Sequence, residues 1–358
     1  MSATFRIATY NAENLFSRAK VFNISNPTIG DDAIKVIGEL QKELNKTVYD
    51  KPKILNLYNQ VKEYVSVNEE MNKLWKKTGN KITGVTAGGK KDWAGSLVFK
   101  KAKFNEMERN NTAKVIKEVN ADLMCLVEVE SKPTITLFNS QLLNLKYKYN
   151  ILIDANDPRG IDVGAYSKVE FGGVWTHMYD MKNNKKIFSR DCLEVEVFIS
   201  KTKTLYLLCN HFKSKGYGAT STSNEKRKVQ AERVAEILKS EYDMNNDLVV
   251  VAGDFNDTAD SAPLKPLMGV AGLKDILEMQ FPNDTGKRWT YHYKTNEQID
   301  FMLVSKPLQK AFVKAGVERR GIYDLSKYSN GTEKSFDTVT SNAQQASDHG
   351  AVWADFTL

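Results

Sequence analysis

Short apolar runs that stop on polar residues recur along this chain, and between them the hydrophobic period changes. Residues 4–10 read as a strand leading into Asn11 and Glu13. From 31 to 76 the spacing is helical. Ile34, Ile37, Leu40 and Leu44, then Ile54, Leu57, Tyr58, Val61 and Tyr64, recur at three- and four-residue steps, and Pro52 suits the start of a second helix. Residues 78–96 hold five glycines among Lys and Thr and read as a flexible loop. Helices are expected over 104–119 and 135–146, strands over 122–129 and 150–154, and a turn over 156–160. Strands follow at 161–166, 171–176, 192–199 and 204–210. Val229, Val234, Ile237 and Leu238 mark an amphipathic helix over 224–240. A Val-rich strand at 248–253, a short helix at 263–270 and strands at 298–304 and 350–356 close the chain. This order predicts an α/β (α+β) fold with two packed mixed β-sheets flanked by helices. No repeat or linker divides it, so one domain over 1–358 is expected, with a helical, Lys-rich insertion at about 20–105.

Composition narrows the class. A hydrophobic fraction of 41%, with 16 Phe and 15 Tyr, supplies a sizeable core for 358 residues. No apolar run approaches the roughly 18–20 residues of a membrane span, so no membrane role is expected. Cys125, Cys192 and Cys209 lie in apolar, strand-like surroundings, with no spacing for a metal or a disulfide framework. Phe5 to Ala8 already reads as strand rather than leader. A cytoplasmic enzyme is therefore expected of the chain as it stands, or a secreted or periplasmic one if a leader once preceded Met1. The net charge is +7, and its distribution is uneven. From Lys73 to Lys103 nine lysines face one acid, Asp92. That stretch is either a solvated basic loop or an arm that tracks phosphates. Trp75 and Trp93 lie within it, to stack bases or to pack the insertion's core.

The candidate chemistry sits where strands stop. The apolar run 248–252 leads through Gly253 to Asp254 and Asn256, two positions apart and so on one side of an extended chain. Five other runs end alike, at Asn11 and Glu13, at Glu128, at Asn210 and His211, at Asp300, and at Asp348 and His349. One such ending is an ordinary turn; six, with two of only four histidines, are not. Gathering several carboxylates without a cation would be costly, and a hard divalent ion with oxygen ligands removes that cost. No Ser, Cys or Tyr stands in a nucleophile setting, and GxSxG is absent.

In chain order TYNAENLF, CLVEVE, NHFKSK, GDFND, IDFMLV and SDHG resemble the endonuclease/exonuclease/phosphatase superfamily of metal-dependent phosphodiesterases. NHFKSKG, with Arg227 and Gln230 beyond it, is similar to a segment of bacterial DNases. The resemblance implies a four-layered, DNase I-like α/β sandwich. It implies Mg²⁺ or Mn²⁺, with Ca²⁺ as a structural ion, held by Asn11, Glu13, Glu128 and Asp348. The rival reading of Glu13 is a structural cap rather than a ligand. Asp254 would deprotonate the attacking water, and Asn256 would hold a nonbridging phosphate oxygen. His349 would face the phosphate with Asp300 fixing its tautomer. His211 would touch the phosphate from the other side or protonate the leaving oxygen, with Asp162 as its partner. Lys213 and Lys215 would neutralise neighbouring phosphates, and Arg190 would bind phosphate or pair with a surface acid. The expected activity is nucleic acid hydrolysis, DNA first, by direct water attack, with no obligate protein partner. The same set also serves phosphatases and lipid or small-molecule phosphodiesterases, the inositol phosphate and sphingomyelin types. A non-catalytic binding module would need a broken set, and every position here is filled.

Overall fold

The computed structural model describes residues 4–22, 27–71, 74–104, 106–216 and 219–358, so Lys73 of the basic stretch lies outside the described residues. The chain divides into two compact units. One joins Met1–Phe16 to Phe104–Leu358, and the other is Ser17–Lys103.

The larger unit holds two six-stranded sheets. In the first, the strands run in the order Phe312–Glu318, Ala351–Thr357, Thr4–Leu15, Leu123–Val129, Asp162–Ser167 and Tyr149–Leu152. Only the pairing of Thr4–Leu15 with Leu123–Val129 is parallel. The second runs Lys274–Asp275, Asp300–Val304, Leu248–Asp254, Lys203–His211, Cys192–Ser200 and Phe171–Thr176, with Lys203–His211 and Leu248–Asp254 parallel. Ile7, Leu123, Cys125 and Val127 of the first sheet meet Leu205, Leu207, Cys209, Val250, Ala252 and Met302 of the second in one buried layer. The alternate residues face outward. Tyr10, Met124 and Leu126 pack under the helices Met107–Val119 and Lys132–Leu142. Leu208, Val249, Val251 and Phe301 pack under the helix Thr220–Glu241. This is the four-layered mixed α/β sandwich that the patterning predicts.

The period of two does more than build the core. In the second sheet the inward series run Leu205, Leu207, Cys209, then His211; Val250, Ala252, then Asp254; and back through Val304 and Met302 to Asp300. His211, Asp254 and Asp300 are thus one rung across three strands, on the inward face, where the apolar layer ends. Asn11 continues the inward series of the first sheet from Ile7. Glu128 has the outward parity of Met124 and Leu126, but its positive φ of 60° opens a bulge at Val127/Val129 and re-aims it.

The smaller unit corrects the reading of 31–76 and 78–96. Helices Pro27–Leu44 and Lys51–Val61 are followed by strands Val65–Met71, Trp75–Thr78, Lys81–Val85 and Ala94–Phe99. Gly79, at φ 58°, turns Trp75–Thr78 back onto Lys81–Val85. Of the other glycines read as loop, Gly84 and Gly95 lie within strands. Trp75 and Trp93 are buried with Leu40, Ile54 and Tyr58, so they are core residues. The strand Phe312–Glu318 escaped the pattern because it is an edge with only Ala315 buried. Helix Lys132–Leu142 starts three residues early, where Ser131 Oγ accepts from Thr134 N and Pro133 sits in the first turn. The three cysteines are buried and free. Among the described residues no helix is long and apolar enough to cross a membrane.

Two predictions follow from packing. Gly253 lies at φ 138°, and a Cβ there would stand 1.9 Å from Asn210 O. Gly253→Ala should destabilise the protein by about 1–3 kcal/mol or more in urea titration and displace Asp254. A Gly253→Ala protein of unchanged urea midpoint would contradict this. Just beyond the strand Phe171–Thr176, His177 lies between Asp180 and Glu194, 3.2 Å from each. Burial opposes its charge, but the two carboxylates prevail and raise its pKa. Such a contact stabilises fully below the imidazole's ordinary value of about 6.5 and is lost as pH rises through the elevated folded value. His177→Gln should therefore lower Tm at pH 6 more than at pH 9, measured by differential scanning calorimetry.

Candidate active site

The polar strand ends open into one cavity of about 1110 Å³. Glu13, Glu128, Arg190, His211, Lys215, Asp254, Asn256, Asp348 and His349 all line it. Residues read from five of the six strand ends thus line it together. Asn11 and Asp300 stand behind this lining as buried supports.

Asp254 is the centre. Its Oδ1 accepts from Asn256 N at 2.7 Å, and its Oδ2 accepts from Asn11 Nδ2 and Asn256 Nδ2, each at 3.1 Å. Burial first, then the facing Asp300, pushes its pKa up to about 7. His349 lies against both acids, with Nδ1 2.8 Å from Asp300 Oδ2 and Nε2 4.0 Å from Asp254 Oδ2. Burial disfavours its charge, but Asp300, Asp348 and Asp254 outweigh burial and hold its pKa well above the usual value. Tyr291 packs on its ring, with centroids 4.8 Å apart. His211 behaves oppositely. Its Nε2 lies 3.7 Å from Asp254 and 3.8 Å from Glu128, yet burial, Arg190 and His349 push its pKa well below the usual value. The two imidazoles are thus shifted in opposite directions.

A second group of acids faces the same space. Glu13 is raised to about 7, by burial and then by Asp348, and Glu128 is raised chiefly by burial. Uncompensated carboxylates in a cavity fit a hard divalent cation with oxygen ligands. By distance alone, Asp254, Asp300 and His349 are the one group of three acids or histidines that could hold a metal among the described residues. We read those three differently, because the His349 imidazolium already supplies positive charge between the two acids.

Several expected roles change. Asn11 Nδ2 holds Asp254, and its Oδ1 accepts from Glu13 N at 3.0 Å, so its amide is engaged at both ends within the protein. Glu13 Oε2 accepts from Asp348 N at 2.9 Å and Gln345 Nε2 at 3.2 Å, so this residue also caps the loop carrying His349. Asn256 Nδ2 donates to Phe212 O and Asp254 Oδ2, so both protons of its amide are engaged within the protein. The expected Asp162–His211 pair is not formed. Asp162 has the outward parity of Tyr166, its Oδ1 accepts from Ala155 N, and His211 Nδ1 has no hydrogen-bond partner among the described residues. Lys213 turns its Nζ to the Gly216 carbonyl, 2.8 Å away, and does not line the cavity. Lys215 does line it, within 3.4 Å of Asp257 and 3.2 Å of Glu297. Arg190 is buried at the wall and paired with Asp157 at 3.0 Å. Arg159, on the same acid, also lines the cavity, although its DPRG segment read only as a turn.

Against family profiles, residues 79–318 match the endonuclease/exonuclease/phosphatase family. The chain belongs to that family. An endonuclease/exonuclease/phosphatase enzyme is a hydrolase of phosphodiester or phosphate ester bonds, and members of the family use divalent metals. No curated protein matches this chain in sequence. Among solved structures, truncated TDP2 from Caenorhabditis elegans is similar over 71% of this chain and 92% of its own, with 18% identity and a TM-score of 0.47. An AP endonuclease from Archaeoglobus fulgidus is similar over 71% and 96%, with 16% identity and a TM-score of 0.49. Neither likeness bears on substrate.

Asp300→Asn removes the anion that His349 leans on. The His349 pKa should fall toward the ordinary imidazole value, read by NMR titration of the imidazole. An unmoved titration would show that Asp300 does not hold the charge.

Proposed function

We propose that this protein is a divalent-metal-dependent phosphodiesterase that hydrolyses nucleic acid, DNA in the first place, by direct attack of water. The observation that carries this reading is Asp254. It is a buried carboxylate poised near neutral pH, held by three donors, beside an imidazolium, at the wall of a cavity large enough for a nucleotide unit. A base is most effective when its pKa lies near the working pH. Support for a polyanionic substrate comes from the wall itself, where Arg159, Arg190, Lys215 and Lys294 line the same cavity as the acids.

The chain's own groups divide the work. Asp254 takes the proton of a water aligned with phosphorus, and the new P–O bond forms as the bond to the leaving oxygen breaks; that oxygen departs with the bonding pair and takes a proton from solvent. His349 offers Nε2–H and a positive charge to the phosphate oxygens, where negative charge grows. His211, being neutral, donates a hydrogen bond and holds no spare proton for the leaving group. Arg190 neutralises the entering diester. Glu128, Glu13 and Asp348 would hold the cation, with Asn11 behind them. When bound there, a divalent ion supplies Lewis acidity toward a phosphate oxygen and relieves the repulsion among these acids.

Asp254→Asn should reduce the cleavage of plasmid DNA in Mg²⁺ or Mn²⁺ by at least about 10²–10⁴-fold, with Tm retained. A separate arm reads the metal without turnover. Mn²⁺ should raise the Tm of the wild type, and Glu128→Gln should shrink that rise. Substrates are compared as plasmid, linear duplex, single strand, RNA, inositol phosphate and sphingomyelin, each with metal or chelator. Hydrolysis confined to inositol phosphate or sphingomyelin would replace the nucleic acid reading, and a fully active Asp254→Asn would remove the assigned base.

A further inference from the structure

One cavity residue plays no part in the chemistry above. Tyr291–His292 and Asn296–Glu297 form a short hairpin, and its turn carries Tyr293, Lys294 and Thr295 on the cavity wall. Tyr293 is 74% exposed, the highest exposure among the large hydrophobic side chains at this cavity. The hairpin under it is held from several sides. The His292 ring stacks on Tyr328 with centroids 3.8 Å apart and an interplanar angle of 17°. His292 Nδ1 meets Asn296 Oδ1 at 2.7 Å, and Asn296 Nδ2 donates to Tyr328 O at 2.9 Å. Thr290 N donates to Glu297 O, and Gly350 N donates to Thr290 O, which ties the hairpin to the segment carrying His349. Tyr291 packs directly on His349.

A rigid support that presents an unpacked ring beside a catalytic imidazole needs an account. Leaving an aromatic ring in water forfeits the burial that a core position would give it. Cations border the ring. Lys294 Nζ lies 5.8 Å from its centroid, and Lys215 lines the same cavity. Aromatic faces interleaved with cations bind successive bases and phosphates of a single strand, at about 1–3 kcal/mol per stacked base.

We propose that Tyr293 stacks on the base of a nucleotide flanking the scissile phosphate, with Lys215 and Lys294 facing the adjoining phosphates. This rests on the nucleic acid reading and adds to it a subsite for an unpaired base. It makes this enzyme read single-stranded or locally opened substrate at that position.

Binding of a short single-stranded oligonucleotide in chelator isolates recognition from turnover. Tyr293→Ala should weaken binding by about 5–100-fold, the equivalent of one lost stack, while Tyr293→Trp restores it. An abasic nucleotide is then walked along the strand. At one position wild type should lose the same factor when the base is removed, and Tyr293→Ala should lose nothing further, a non-additivity expected only of direct partners. 2-Aminopurine placed there should be quenched by wild type and not by Tyr293→Ala. If wild type cleaves the oligonucleotide while Tyr293→Ala binds it equally well, this inference falls and the nuclease reading stands. Additive losses at every abasic position would also overturn it. A wild type that neither binds nor cleaves any oligonucleotide overturns both.

Discussion

Asp254 and Asp300 face each other on one rung of the second sheet, both buried. Like charges directly opposite each other destabilise a ladder, and burial magnifies the cost. His349 offsets it by contacting Asp300 at 2.8 Å and approaching Asp254 at 4.0 Å. That histidine does not belong to the second sheet. It precedes the strand Ala351–Thr357 of the first sheet, and its loop is pinned there by Ser347 Oγ on Asn11 O and by Asp348 N on Glu13. Asn11 crosses in the same direction, from the first sheet to Asp254. The polar ends of the two sheets are therefore fastened by charge and hydrogen bonds where the apolar layer stops. A buried pair of this kind is poor at adding stability but costly to break, since either partner alone is left unpaired. Its value here is register. It fixes which atoms of two separately built sheets meet.

Much of this was legible because a strand has a period of two. Cys209 and Ala252 face inward, so His211 and Asp254 do so as well, and residues from distant parts of the chain converge. Where that rule was not applied, the reading failed. Asp162 shares the parity of Tyr166 and not of Val163, which separates it from His211. Lys213 and Lys215 share a parity but lie beyond the end of the strand, where turn geometry decides direction. Glu128 obeys neither rule, since a left-handed residue and its bulge turn it. Asn256, also at positive φ, folds its amide back on Asp254. Hydrogen-bond direction of this kind leaves no trace in spacing. The strands of the smaller unit were hidden for another reason. They are two short ladders, largely exposed on one face, and their turns are built from the glycines and lysines that elsewhere mark loops. The aromatics at 289–293 carried a signal that went unread, because they precede the motif at Asp300 instead of ending a strand.

The two histidines show how composition alone underdetermines chemistry. Both are buried, and both lie within about 4 Å of the same Asp254 oxygen. Their neighbours differ. His349 has three carboxylates around it, and its charge is retained. His211 faces Arg190 and the His349 charge, and its own charge is expelled. Had both been charged, two cations would have pulled the Asp254 carboxyl down and made it a feeble base. With one of each, Asp254 keeps a pKa close to neutrality while a positive charge still faces the space where a phosphate would sit. Groups whose surroundings drive their protonation states apart are the ones fitted for separate acid–base roles. In this fold the separation is set by a single rung and by the loop that closes over it.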